Sequence, residues 1–380
     1  MGTGVDDVGF NKSSNGTKKM KVLMIAPIGK AGGVSTHSQE LVRELRGLGI
    51  MVEVYNVTTS IKPRFIANFI KFYKRSFGVF INIFIRRGFD IVHVQASGPM
   101  GGFLPAISAA IVRKIVNFPL VVTFHYSRTS EFIIKNKFFK FVMESSKFFI
   151  VVSKNQKNII INEINYIEKV KVISNGFNPK NLFPIDCIFA RKYLSLPYNK
   201  KVIFHVSNLL PVKGQKYLII GMKKILEKRK DVLLFIGGKG PLKHELQKQI
   251  IALKLEDNIK LLGFIPDDKL ALWMNAADLF VLPSLSEGNP TVMFESLGVG
   301  LPFVGTRVGG VPEIITSDEY GLLAEPGNPD DLAEKILVAL EKEWDREKIR
   351  DYARQFTWEN IAKQLIKVYE EVLSKSPSGE

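Results

Sequence analysis

Glu287 and Glu295, with seven residues between them, bracket a Gly288-Asn289-Pro290 turn within the stretch 283–296. The run 279–282 before it reads as a buried parallel strand; Asn289 as N-cap and Pro290 at the first helical position then start a helix. A strand, a turn and a helix start leave the amides of Thr291, Val292 and Met293 pointing outward, where the helix dipole favours an anion such as a phosphate. A helix rises about 1.5 Å per residue, so the two carboxylates can flank a bound group several ångströms long. Carboxylates accept hydrogen bonds from sugar and ribose hydroxyls while the amides between them hold phosphate. The chemistry on offer is capture of a phosphorylated, hydroxyl-rich ligand.

Elements that position this stretch recur along the chain as alternating strands and helices. The first half places strands at 21–27, 51–57, 90–95, 120–123, 148–152 and 170–173, with helical patterns at 35–48 and 103–115 among them. After 178–200, a Pro- and Asn-bearing linker candidate, the second half restarts with strands at 201–206, 232–236, 259–262 and 279–282. Such alternation predicts two parallel sheets with right-handed crossovers. Ligands of open α/β sheets bind outside the carboxyl ends of strands. The residues standing there are the Gly32-Gly33 turn, His125, Asn208 and Lys213, and the Gly237-Gly238 turn. A lone strand-end histidine is more often structural, and a loop lysine is usually solvated. Placed at a phosphate, Lys213 would act as a point charge.

Taken together these segments resemble the retaining glycosyltransferases of family 4, which have the GT-B fold of two Rossmann-like domains facing a cleft. The resemblance covers roughly 21–373 and rests on six ordered segments centred on Gly33, His125, Asn208 with Lys213, Gly238, Glu287 with Glu295, and Gly310. It implies an N-terminal domain over 20–185, a nucleotide-sugar domain over 200–357, and a final helix, 358–380, crossing back to the first domain. Glu295 would then grip the donor ribose, and Glu287 and His125 the donor sugar. Gly32 and Gly33 would face the diphosphate across the cleft, with Lys213, Asn289, Pro290, Thr291 and Val292 on the phosphates. The segment of Phe264 and Ile265 would receive the nucleobase through its backbone, and Gly310 would stand beside the donor, with Glu313 capping a helix as the plainer reading of that side chain. The pattern departs from the family at one place: Asn208 occupies the position of an arginine. Asparagine has no bidentate positive fork, so leaving-group stabilisation is expected to be weaker unless another cation, Lys239 or Arg307, takes its place.

The chain has 380 residues, 46% of them hydrophobic, enough for two cores. Its single cysteine, Cys187, excludes an internal disulfide and a cysteine-rich metal site and suits a reducing compartment. Residues 1–19 are rich in Gly, Asn and Ser without an apolar core and read as a disordered tail, and the longest apolar runs are too short to span a bilayer. The expectation is a cytoplasmic protein, peripheral on the inner face of the membrane. Residues 1–190 carry 26 basic and 11 acidic side chains against 27 and 26 in the remainder, so nearly all of the net charge of +16 resides in the first half. The stretch 54–89 contains no acid, yet interleaves Lys62, Arg64, Lys71, Lys74, Arg75, Arg86 and Arg87 with Phe65, Phe69, Phe72, Tyr73, Phe77, Phe80 and Phe84. Two readings of 62–87 stand: a basic amphipathic helix lying on an anionic membrane, or a helix packing its aromatic stripe on the core. The segment 132–149 repeats the composition.

The implied reaction moves a hexose or N-acetylhexosamine from a UDP- or GDP-linked donor to a glycan or lipid-linked acceptor. It needs no cofactor and no metal, since no Asp-x-Asp or His-rich motif appears and lysine plus amides can stand in for Mg²⁺. A non-catalytic nucleotide-sugar binder, suggested by Asn208, and a nucleotide-sugar epimerase are the rival readings. Nucleic-acid binding ranks last, because the positive region is aromatic and apolar and carries no recognition motif.

Overall fold

The computed structural model describes residues 19–29, 32–59, 63–86, 88–98, 100–164 and 168–374. The expected tail falls outside these except for Lys19, as do Lys62 and Arg87. The first unit comprises β1 (Lys21–Ala26), α1 (Gly33–Gly47), β2 (Met51–Asn56), α2 (Arg64–Arg75), α3 (Phe77–Ile85), β3 (Ile91–Ala96), α4 (Met100–Arg113), β4 (Leu120–Phe124), α5 (Thr129–Lys135), α6 (Phe138–Ser145), β5 (Phe148–Val151), α7 (Lys154–Ile164) and β6 (Val170–Val172). The second comprises α8 (Cys187–Tyr193), β7 (Lys201–Val206), α9 (Gln215–Lys228), β8 (Val232–Gly237), α10 (Lys243–Ala252), β9 (Ile259–Gly263), α11 (Asp267–Ala276), β10 (Leu279–Leu282), α12 (Thr291–Gly298), β11 (Phe303–Thr306), α13 (Val311–Ile314), β12 (Gly321–Ala324), α14 (Pro329–Glu341), α15 (Arg346–Ala353) and α16 (Trp358–Ser374).

Each unit holds a six-stranded parallel sheet, ordered β2-β1-β3-β4-β5-β6 and β12-β11-β10-β7-β8-β9. The expected two Rossmann-like domains are therefore present. Strands such as LVVTF in β4 and LFVL in β10 are buried along their whole length, as a sheet covered on both faces requires. Strands β11 and β12, not assigned from the sequence, extend the second sheet past β10; at four residues each they are too short for periodicity to separate from a loop. In the second sheet the strand order reverses between β7 and β10, which opens a crevice at their carboxyl ends.

The linker candidate 178–200 is not a loose connection. Phe177, Leu182, Ala190 and Leu196 belong to the core of the second unit. Arg191, on α8, reaches Asp278 Oδ2 at 2.6 Å and donates from Nε to the Ala276 carbonyl and from Nη1 to that of Lys200. The final helix does cross back: Trp358, Ile361, Leu365, Tyr369 and Val372 pack with Val22, Met24, Leu41 and Leu45 of β1 and α1. The two passages between units are stitched together, Phe177 N donating to Phe356 O and Trp358 N to Phe177 O, both at 3.0 Å.

The acid-free stretch forms two helices, with a break at Ser76. Phe69, Phe72, Tyr73 and Phe77 face solvent, at 46–70% exposure, so this part of the aromatic stripe is not core, whereas Phe80 and Phe84 pack against it. Three of the cations, Lys74, Arg75 and Arg86, are held by the protein. Lys74 donates to the Asn56 and Thr58 carbonyls, Arg75 to that of Gly101, and Arg86 pairs with Glu53. Among the described residues no helix is long and apolar enough to cross a membrane.

Arg191→Met strips a buried ion pair and several carbonyl partners at once. Loss of one member of a buried pair costs about 3 kcal/mol, read as a lower urea midpoint of the second unit; an unchanged midpoint would mean that α8 is not anchored through this side chain.

Candidate active site

At the carboxyl ends of β7 and β10 the two loops that bear the chemistry touch through their backbones. Leu285 N donates to Val212 O at 2.7 Å, and a Cβ on Gly214 would stand 1.9 Å from Pro283 O, so only glycine allows the approach. Gly214 also has φ of +69°. Lys213 ends a short 3₁₀ turn, Pro211–Lys213, and so precedes α9 instead of opening it. This contact brings Lys213 Nζ to 2.6 Å from Glu287 Oε1, which also accepts from Ser284 Oγ at 2.6 Å. Gly309 backs the loop so closely that a Cβ there would lie 1.7 Å from Glu287 O, and Gly310 N donates to Gly288 O at 2.8 Å.

These groups border a cleft of about 420 Å³ between the two units. From the first unit it is lined by Gly33, Val34, His125 and Ser127, and from the second by Asn208, Lys213, Gly238, Lys239, Phe264, Ile265 and Glu287 through Val292. Most residues expected from the sequence are thus brought together. Gly32, Glu295 and Gly310 are not on this lining. Gly32 accepts the amides of Ser35 and Thr36 at the start of α1, and Gly310 supports the Glu287 loop from behind.

Glu295 lies one turn inside α12. Burial there, with Asp267 and Glu40 as like-charged neighbours, raises its carboxyl to about 7.

The start of α12 differs from expectation. Its first residue is Thr291 and its N-cap Pro290, with no side-chain cap. Asn289 Oδ1 instead accepts from Asn175 N at 2.8 Å, linking the turn to the chain leaving the first unit. Met293 N donates to Pro290 O at 3.2 Å, while Thr291 and Val292, the first two residues of α12, line the cleft. Of the two cations proposed to replace the missing arginine, Lys239 lines the cleft, with its ammonium 4.7 Å from the Phe264 ring centroid. Arg307 pairs with Glu325 away from it. Glu313 caps a helix of the other unit, its carboxylate accepting from Lys154 N and Asn155 N at the start of α7.

Supporting residues escaped the sequence reading. His205 bonds Val281 O at 2.7 Å and Ser207 Oγ at 2.9 Å, tying β7 to β10; burial lowers its pKa to about 4. Gln215 Nε2 donates to Ser207 Oγ and Asn208 O and fixes the loop before Lys213. The one available signal was a polar residue inside an apolar strand, as in KVIFHV.

A Glycosyltransferase Family 4 model matches residues 31–181 and a Glycosyl transferases group 1 model residues 188–356. An uncharacterized glycosyltransferase of Methanocaldococcus jannaschii is 30% identical over 364 residues, covering 90% of this chain and 95% of the relative. The chain belongs to glycosyltransferase family 4. Other relatives of this glycosyltransferase are the N-acetyl-α-D-glucosaminyl L-malate synthase of Bacillus anthracis, 26% identical over 78% of each chain, and the phosphatidylinositol N-acetylglucosaminyltransferase gpi3 subunit of Schizosaccharomyces pombe. The latter is 25% identical over 91% of this chain and 79% of the relative. Solved structures share the fold. They include sucrose-phosphate synthase of Thermosynechococcus elongatus, with TM-score 0.79 and 20% identity over 94% of this chain and all of that one. Anabaena HepE in complex with UDP-glucose gives TM-score 0.70 and 24% identity over 93% of this chain and all of that one.

In this family 4 glycosyltransferase the Glu295 proton couples to stability. A carboxyl raised from 4.5 to about 7 contributes stability that is fully present below pH 4.5 and is lost as pH rises through about 7. Glu295→Gln cannot ionise, so its melting temperature should fall less between pH 5 and pH 8 than that of the parent protein; equal slopes would remove Glu295 as the source.

Proposed function

We propose that this glycosyltransferase moves a hexose or N-acetylhexosamine from a nucleotide-diphosphate sugar to a lipid-linked or glycan acceptor, with retention and without a metal. The observation that carries the reading is the Lys213–Glu287 pair, held at the strand-order reversal of the second sheet and facing His125 across the cleft. An arriving diphosphate competes for the Lys213 ammonium, which frees the Glu287 carboxylate to accept hydrogen bonds from the sugar. Lys239 and the amides of Thr291 and Val292 supply further positive potential, so charge neutralisation rests on the protein itself. The acceptor oxygen then attacks the anomeric carbon on the face of the leaving group. The bond to the diphosphate breaks, the bond to the acceptor forms, and the acceptor proton passes to the leaving phosphate oxygen. No protein carboxylate acts as nucleophile in this sequence. The names of the Bacillus and Schizosaccharomyces relatives support N-acetylglucosamine as the first sugar to try, and the UDP-glucose complex supports UDP as the first nucleotide.

On the acceptor side we infer an anionic membrane surface. Seven apolar side chains exposed on α2 and α3, Ile66, Phe69, Phe72, Tyr73, Phe77, Ile81 and Ile85, support it, together with the net positive charge of the first half. Apolar insertion carries more of this binding than the basic residues do, because Lys74, Arg75 and Arg86 are engaged within the protein.

Two experiments test the proposal. The purified protein is incubated with UDP-N-acetylglucosamine, UDP-glucose and GDP-mannose in EDTA. Turnover of one nucleotide family, an α-configured product by proton NMR, and a loss of about 100-fold or more in Glu287→Ala are expected. No binding of any of the three, or near-normal Glu287→Ala, overturns the reading. In the second, the protein should sediment with phosphatidylglycerol vesicles and the Phe69→Ser/Phe72→Ser/Phe77→Ser variant should not; equal sedimentation of the two removes α2 and α3 as the docking surface.

A further inference from the structure

The face of the first sheet beneath α1 and α16 carries a stripe of polar side chains through an otherwise apolar layer. Strand alternation sets His93 and Gln95 of β3 on this face, where they are 0% and 2% exposed, alongside Thr123 of β4 and His125 just beyond it. Buried polar groups are tolerated when hydrogen-bonded, and these form one connected set. His125 Nε2 lies 2.7 Å from Gln95 Oε1. The other end of that amide, Gln95 Nε2, stands 3.5 Å from Met24 Sδ and 3.4 Å from His93 Nε2. His93 Nε2 is also 2.8 Å from Thr123 Oγ1, and His93 Nδ1 is 2.6 Å from Tyr369 Oη on the returning helix α16.

We propose that Gln95 is a positioning residue for this enzyme: its amide decides which nitrogen of the His125 ring carries the proton, and His93 and Tyr369 decide which way the amide points. One assignment satisfies every partner. His93 donates from Nδ1 to Tyr369, and its Nε2 lone pair accepts from Thr123 and, at longer range, from Gln95. The Gln95 oxygen is thereby turned to His125, and an amide oxygen can only accept. His125 therefore holds its proton on Nε2, and Nδ1 is left as the ring's acceptor. In the cleft this gives His125 a fixed polarity toward a sugar hydroxyl, and the polarity is set by a helix belonging to the far end of the chain.

The surroundings keep the ring neutral. Burial lowers the pKa of His37 to about 4 and that of His93 to about 3. For His125, burial pushes it well below 6.5, with His37 and His93 opposing its charge. The titratable groups around it are His37 from α1, whose ring centroid is 4.5 Å away, His93 from β3, Tyr369 from α16, and Lys213 and Glu287 across the cleft.

The catalytic consequence rests on the proposed transfer reaction, whereas the tautomer does not, so the test reads the tautomer directly. The full chain, labelled with ¹⁵N-histidine, contains five histidines, and His125 is assigned from its absence in His125→Phe. Long-range ¹H–¹⁵N spectra should show His125 protonated on Nε2 with no titration from pH 5.5 to 8. In Gln95→Glu, which places a carboxylate against the ring, His125 should become titratable within that range. Tyr369→Phe should leave the fold intact and yield a mixture of His125 tautomers. Thermal shifts with UDP and GDP should be the same in all variants. With UDP-N-acetylglucosamine as donor, Gln95→Leu should lose about 10-fold to 100-fold in kcat at unchanged donor KM. An Nδ1-protonated His125, or a Gln95→Glu spectrum identical to that of the parent, overturns the proposal. Failure of turnover in every variant and in the parent would instead bear on the transfer reaction and leave the spectroscopic result standing.

Discussion

The close backbone passage between the loop after β7 and the loop after β10 is the constraint on which the site depends. Parallel pairing of β7 with β10 fixes where the two loops start, and glycine at position 214 lets them meet. The result is an ammonium and a carboxylate held together with little water, at 22% and 8% exposure. Removing two charges from water costs several kcal/mol per ion, which their attraction offsets only in good geometry. Ser284 donates to the same carboxylate oxygen and completes that geometry. In the proposed reaction such a pair exchanges partners: a diphosphate offers the lysine more negative charge than one carboxylate does, and the released glutamate takes hydroxyl donors in return.

A second set of contacts places the first unit against this pair. The two passages of the chain between units bond to one another at Phe177 and Phe356, which limits how the sheets can turn. Asn175, next to that crossing, bonds both Asn289 of the second unit and His37 of the first. Glu313 caps α7 from across the cleft, where helix-start amides are otherwise unpaired. The same crossing delivers α16 to the back of the first sheet, so the residue that touches His93 arrives from the end of the chain.

The outer surface of the first unit follows a different logic. A helix that buries aromatic side chains gains roughly 25 cal/mol for each Å² of apolar area removed from water, yet α2 leaves that area exposed. Two of its cations, Lys74 and Arg75, satisfy backbone carbonyls of neighbouring segments, an internal demand that periodicity does not reveal.

The two parallel sheets were legible because apolar runs bounded by glycine-rich turns repeat along the chain, and a strand buried on both faces has no other way to be written. Glu287, Lys213, His125 and the helix-start amides were legible because carboxyl ends of strands are where loops can carry chemistry. Short β11 and β12, the packing of 178–200 onto the second core, and the outward turn of Phe69 and Phe72 were not, since each is settled by neighbours distant in sequence. That Lys239 lines the cleft while Arg307 pairs with Glu325 is likewise settled by the surrounding packing. Residue types and strand periodicity, which are local, determined the fold class and the kind of ligand. Which partners meet, Glu287 with Lys213, Asn289 with Asn175 and His125 with Gln95, was decided only by the tertiary structure, because hydrogen bonds and ion pairs depend on a few tenths of an ångström between segments that the chain itself holds far apart.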